Sequence, residues 1–72
     1  MDRETGTIVM VKVDKRFGFV RSDTRASREL FFHESETDPG LTFDEALVER
    51  RVTFSVITTP KGLRAVQVEA AS

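Results

Sequence analysis

The sequence predicts a small all-β domain, a five-stranded antiparallel barrel with one short helical turn between the third and fourth strands. Short segments rich in β-branched and aromatic residues alternate with polar or Pro/Gly-containing segments. The chain has 72 residues, enough for a thin core but too few for a deep internal cleft. We therefore expect one domain over residues 1–72 whose function depends on its surface.

The first three strands are predicted in the N-terminal half of the chain. Residues 7–13 read Thr-Ile-Val-Met-Val-Lys-Val, which is dense in β-branched residues and too short for a stable helix. Residues 14–16 are predicted to form a tight connection to a second strand at residues 17–21. A polar loop at residues 23–28 then leads to a third strand at residues 30–33.

A long connection over residues 34–50 follows the third strand. It contains the Asp-Pro-Gly turn signal at residues 38–40. Thr42 and Glu45 have the spacing of a capping box, which predicts one or two helical turns that begin with Thr42 as the cap.

The last two strands are predicted as a hairpin. Residues 52–56 alternate between apolar and polar side chains, which predicts a strand with Phe54 in the core. Thr-Pro-Lys-Gly at residues 59–62 predicts a type I turn, and residues 64–68 form the final strand. Five short strands with one helical turn are typical of a Greek-key barrel of the OB type.

Composition excludes several classes of function. The chain has no Cys, which excludes disulfides, thiolate catalysis and zinc sites built on sulfur, and its single His cannot build a histidine metal site. The longest apolar run covers residues 8–11, far short of the roughly 20 residues of a membrane span, and the N-terminus lacks a signal-peptide core. We therefore expect a soluble, cytoplasmic monomer with no cofactor, metal or membrane partner.

Charge is distributed unevenly, although the formal net charge is only −1. Residues 12–28 contain six basic and two acidic residues, a balance of +4, whereas residues 34–45 contain five acidic residues and no basic one. Charge runs of this kind are usually solvated surface, so they do not by themselves predict a polyanion ligand. Aromatic residues interleaved with the basic residues would favour a polyanion ligand.

The second and third strands carry aromatic residues beside this basic segment, and the strand period groups these residues by face. Side chains two positions apart on a strand share a face, so Phe17 and Phe19 point together, as do Phe31 and His33. If Gly18 faces the interior, these aromatic side chains face solvent and can stack nucleic-acid bases. Periodicity alone leaves the opposite arrangement, with the rings in the core, equally open.

Two motifs resemble those of a known family. Residues 15–20, Lys-Arg-Phe-Gly-Phe-Val, and residues 30–33, Leu-Phe-Phe-His, are similar to the RNP-type motifs Lys-Gly-Phe-Gly-Phe-Ile and Val-Phe-Val-His-Phe of the cold-shock domain family. The likeness extends over about residues 6–69. It implies an OB-type barrel that binds single-stranded RNA or DNA and that in bacteria often acts as an RNA chaperone or antiterminator.

The resemblance also implies site residues. The family's stacking positions fall on Phe17, Phe19, Phe31, His33 and Phe43, and Lys15 matches a basic position beside the first motif.

The chain departs from the family pattern at several of these positions. It has Val9-Met10-Val11 where the family usually has Lys-Trp-Phe, and Glu34 where an aromatic residue normally follows the His. Arg16 replaces a Gly, and Lys12 stands where Asn is common. Met10 can still lie against a base, and Lys12 and Arg16 add cations. We therefore expect binding that is weaker and more salt-dependent than that of a full-pattern member.

Other interpretations of these residues stay open at this point. His33 could bond a carboxylate such as that of Glu34, and Phe43 could simply cover one end of the barrel. An enzyme is disfavoured because His33 and Glu34, adjacent on a strand, would point to opposite faces. The stronger alternative is a protein-interaction barrel, which the apolar Val9-Met10-Val11 segment favours.

Overall fold

Five β-strands close into a barrel in the order β1-β2-β3-β5-β4. The computed structural model describes residues 3–25 and 28–71. The strands are β1 (Glu4–Lys12), β2 (Phe17–Ser22), β3 (Glu29–His33), β4 (Arg51–Thr59) and β5 (Gly62–Ala70), and single 3₁₀ turns occupy Val13–Lys15, Glu34–Glu36 and Glu45–Leu47. The predicted all-β barrel with a helical turn between the third and fourth strands is confirmed.

The observed strand pairing differs from the predicted antiparallel barrel at one contact. Neighbouring strands run antiparallel, except that β3 and β5 pair in parallel at Phe31 and Arg64. This contact closes the barrel, and it joins residues far apart in sequence, which strand-by-strand patterning does not reveal. No helix among the described residues has the length and apolar character needed to cross a membrane.

The strands are longer than predicted, most clearly in the β4–β5 hairpin. β4 continues to Thr59 and β5 begins at Gly62, so only Pro60 and Lys61 form the turn. The Thr59 hydroxyl supports it by donating to the Gly62 carbonyl oxygen at 2.8 Å. Part of the predicted 23–28 loop, Ala26 and Ser27, lies outside the described residues, as do residues 1, 2 and 72.

The barrel interior is filled by one face of each strand. The largest side chains with no more than traces of exposed surface are Phe32, Phe54, Ile8, Leu30, Leu47, Val20, Val52 and Val68. Phe54 is therefore core, as predicted. Because Leu30 and Phe32 alternate with Phe31 and His33 along β3, the buried pair places the other two side chains on the outer face.

Gly18 has the interior role that the sequence suggested. A Cβ atom at this position would lie 2.6 Å from the Met10 carbonyl oxygen and 2.9 Å from the Phe32 ring. The Phe32 ring thus occupies the space where a side chain of β2 would otherwise project. This packing leaves Phe17 and Phe19, on either side of Gly18, pointing away from the core.

A β-bulge in β1 was not predicted. Ile8 pairs with Val20 and Met10 pairs with Phe19, so Val9 is the extra residue in the ladder. Without the bulge, Ile8 and Met10 would share the interior face, since they are two positions apart. The bulge keeps Ile8 fully buried and turns Met10 to the outer face beside Phe19.

The prediction of Thr42 as a helix cap is wrong. The turn begins at Glu45, and Asp44 is its N-cap, with Oδ1 accepting a hydrogen bond from the Ala46 amide at 2.9 Å. Carboxylates accept such bonds at least as well as hydroxyls, and Asp44 lies directly before the first residue of the turn. Leu47 at the end of this turn is buried in the core.

Candidate nucleic-acid interface

Three phenylalanine rings form a cluster on the outer face of β2 and β3, here called the aromatic platform: Phe17, Phe19 and Phe31. All three are partly exposed. The Phe17 and Phe31 rings are stacked with centroids 5.4 Å apart, and Phe19 meets each of them edge-on at 6.0 Å. The rings support one another while keeping surface available to a flat partner.

Cross-strand pairing extends the platform into two rows. One row runs across the sheet as Met10, Phe19, Phe31 and Arg64. The second row runs as Lys12, Phe17 and His33. The structure therefore brings six of the nine predicted site residues into one surface, with a thioether and a cation on its β1 side.

His33 is held at the end of this surface by its neighbour Ser35. The Ser35 amide donates to Nδ1 at 3.1 Å, and the Ser35 hydroxyl lies 3.0 Å from the same nitrogen. Because Nδ1 accepts this bond, the neutral imidazole carries its proton on Nε2. Its partner is thus Ser35, whereas the Glu34 carboxylate contacts Arg16 at 3.2 Å. The structure therefore does not contain the alternative His33–Glu34 pair.

Phe43 lies apart from the aromatic platform. Its ring packs edge-on against the core ring of Phe32, with centroids 6.2 Å apart, and it is partly buried. The structure therefore gives Phe43 the packing role that the sequence left open. Part of Phe43 is exposed, and its predicted contact with a ligand stays a prediction.

The cations near the platform are less available than the +4 balance of residues 12–28 suggested. Arg16 pairs with Glu34 and Arg21 with Glu29, each at 3.2 Å. Lys12 and Lys15 are exposed, and neither belongs to an ion pair among the described residues. Three of the six basic residues in this segment, Arg16, Arg21 and Arg25, are therefore paired with carboxylates.

Two more ion pairs lie near the far end of β1. Hydrogen bonds from Arg25 hold the pKa of the Glu4 carboxyl below its ordinary value, despite partial burial that opposes the shift. Hydrogen bonds from Arg51 likewise lower the pKa of the Asp23 carboxyl. Both carboxylates are charged at neutral pH, so each one offsets the charge of its arginine partner.

Arg64 is a contact that sequence reasoning missed. Its guanidinium carbon lies 5.3 Å from the centre of the Phe31 ring, and its Nε atom is buried without a hydrogen-bond partner among the described residues. The cation–π contact extends the platform with a positive charge. Local sequence could not predict this contact, because Arg64 reaches Phe31 only through the parallel pairing of β3 and β5.

A surface cleft continues from this edge of the platform. It has a volume of about 360 Å³ and is lined by Phe31, Thr59, Lys61, Leu63 and Arg64. An aromatic ring and two cations in the lining suit a base and its phosphate. Among the described residues, no group of three or more potential metal ligands is present.

Comparison with known proteins agrees with this fold. The family model described as 'Cold-shock' DNA-binding domain matches residues 4–71. The chain belongs to the cold-shock domain family. A solved structure titled drosophila Unr CSD456 superposes on this cold-shock domain with a TM-score of 0.79 and 33% sequence identity. The match covers 99% of this chain and 27% of the Unr chain, so the present chain spans about a quarter of that structure. A search of curated proteins found no match.

Family membership supports the resemblance and the general function. Cold-shock domains are nucleic-acid-binding domains and not enzymes. In this cold-shock domain the departures from the family pattern cluster at the edges of the platform: Met10 on the β1 side, and the Arg16–Glu34 pair where β2 begins and β3 ends.

Proposed function

We propose that this cold-shock domain binds single-stranded RNA or DNA by stacking bases on Phe17, Phe19, Phe31 and His33. The observation that carries the proposal is the aromatic platform itself, three mutually supporting rings left partly exposed by a small domain. A cluster of exposed apolar rings usually marks a contact surface.

Flanking groups support the same function. Met10 offers a polarizable side chain beside Phe19, and Lys12 lies next to Phe17 in the neighbouring row. Lys15 and Lys61 are exposed, and Lys61 lines the cleft beside Phe31. These cations would contact phosphates, while Arg16 is partly engaged by Glu34.

The cellular role we propose is that of a small cytoplasmic protein that keeps RNA single-stranded, as an RNA chaperone or antiterminator, acting as a monomer without metal or cofactor. Weak stacking suits such a role, because the protein must release each segment of RNA again.

A salt titration tests the proposal. Fluorescence anisotropy of a labelled pyrimidine-rich heptanucleotide should show micromolar binding at 50 mM salt. With about three phosphates neutralised, affinity should fall about tenfold or somewhat more between 50 and 200 mM salt. Absence of binding at low salt and high micromolar protein would reject the proposal in favour of a protein-interaction barrel.

A further inference from the structure

An ion pair lies at the end of the aromatic platform where β2 begins and β3 ends. Arg16 directly precedes Phe17, and Glu34 directly follows His33, the Cα partner of Phe17. The Arg16 and Glu34 side chains are 70% and 37% exposed, and Nη1 of Arg16 lies 3.2 Å from Oε1 of Glu34. The pair therefore lies at the protein surface, on the two residues that adjoin Phe17 and His33 in the chain, and the Glu34 carboxylate is partly exposed.

The backbone of Glu34 is firmly held. Its amide donates to the Arg16 carbonyl oxygen at 2.8 Å. Its own carbonyl oxygen accepts from the Thr37 amide at 3.0 Å and from the Thr37 hydroxyl at 2.6 Å. A side chain on an anchored backbone loses less conformational freedom when it binds, which favours directional recognition.

The carboxylate also keeps hydrogen-bonding capacity. Among the described residues, the side-chain hydrogen bond to Glu34 comes from Arg16 and engages only Oε1. An ionised carboxylate has about four acceptor positions. Arg16 meanwhile offsets part of the repulsion that an unpaired carboxylate would exert on phosphate.

The hydrogen-bond donors of each base determine how well it can bind a carboxylate such as that of Glu34. Guanine presents its N1–H and N2–H donors side by side, so it can give two parallel hydrogen bonds to one carboxylate. Thymine and uracil present a single N3–H between two carbonyl oxygens, which the carboxylate repels. We propose that Glu34 is a specificity-determining residue that favours guanine at the Phe17–His33 end of the interface. This inference rests on the proposed single-stranded nucleic-acid binding.

The test uses heptadeoxythymidylate and seven variants that each replace one thymine by guanine. For the wild-type domain, the best guanine-containing oligonucleotide should bind about tenfold more tightly than the all-thymine one. Glu34→Gln should reduce this preference to about threefold or less. Glu69→Gln is the matched control: it removes the same charge from an arginine pair on β5, 3.7 Å from Arg3, and should leave the preference unchanged.

A base analogue tests the same contact without altering the protein. Hypoxanthine lacks the N2 amino group, so replacing the preferred guanine by hypoxanthine should remove most of the preference. The inference is overturned if wild type binds all eight oligonucleotides equally, or if the guanine preference survives in Glu34→Gln. Either result would leave the proposed function intact. If wild type binds none of them at high micromolar concentration, the proposed function and the inference both fail.

Discussion

Replacing Phe31 by alanine is expected to weaken oligonucleotide binding by about 5- to 150-fold, because one aromatic–base stack contributes about 1–3 kcal/mol. Phe31 is the centre of the interface, since it contacts both other rings of the platform and the Arg64 guanidinium. The ring is only partly buried, so the free energy of unfolding should fall by about 1–2 kcal/mol, less than for a fully buried phenylalanine. Anisotropy titrations and urea unfolding of the same sample measure both quantities.

The matched control is Val48→Ala, which shortens an exposed apolar side chain in the loop after the last 3₁₀ turn. It should change neither affinity nor stability appreciably. If Phe31→Ala loses stability and its binding merely follows the folded fraction, the ring belongs to the core and has no role as a stacking surface.

The neighbouring substitution, Phe32→Ala, should have the opposite profile. Phe32 is fully buried, and its ring fills the space above Gly18 and contacts Phe43. Its removal should cost about 3–5 kcal/mol of unfolding free energy. That loss is comparable to the whole stability expected of a domain of this size, so urea unfolding should show a largely unfolded chain.

A milder variant keeps this prediction measurable. Phe32→Leu retains much of the buried volume and should leave a folded domain with a lower urea midpoint. Its affinity per folded molecule should equal that of wild type. A Phe32→Leu variant with full stability and weakened binding would mean that the two faces of β3 have been assigned the wrong way round.

Much of this site could be predicted because it depends on local alternation. The first step is to place Gly18, Leu30 and Phe32 inward. The strand period of two then places their neighbours on the outer face: Phe17, Phe19, Phe31 and His33. Periodicity could not choose between the two faces. The structure makes the choice through the Phe32 ring, which fills the space beside Gly18.

Features that depend on register or on non-local contacts were beyond the sequence. The outward position of Met10 requires the bulge at Val9, and a bulge has no strong signature among consecutive β-branched residues. Arg64 joins the platform only through the parallel β3–β5 contact. The charge count of residues 12–28 overestimated the free cations because their acidic partners Glu4, Glu29 and Glu34 lie outside that segment.

The most direct test of the account is an NMR titration of the aromatic protons with a short single-stranded oligonucleotide. The chain has six Phe, one His and no Trp or Tyr, so each ring can be followed separately. Binding should shift the ring protons of Phe17, Phe19, Phe31 and His33 and leave those of the buried Phe54 almost unchanged. Bound oligonucleotide with unshifted platform rings would contradict the account.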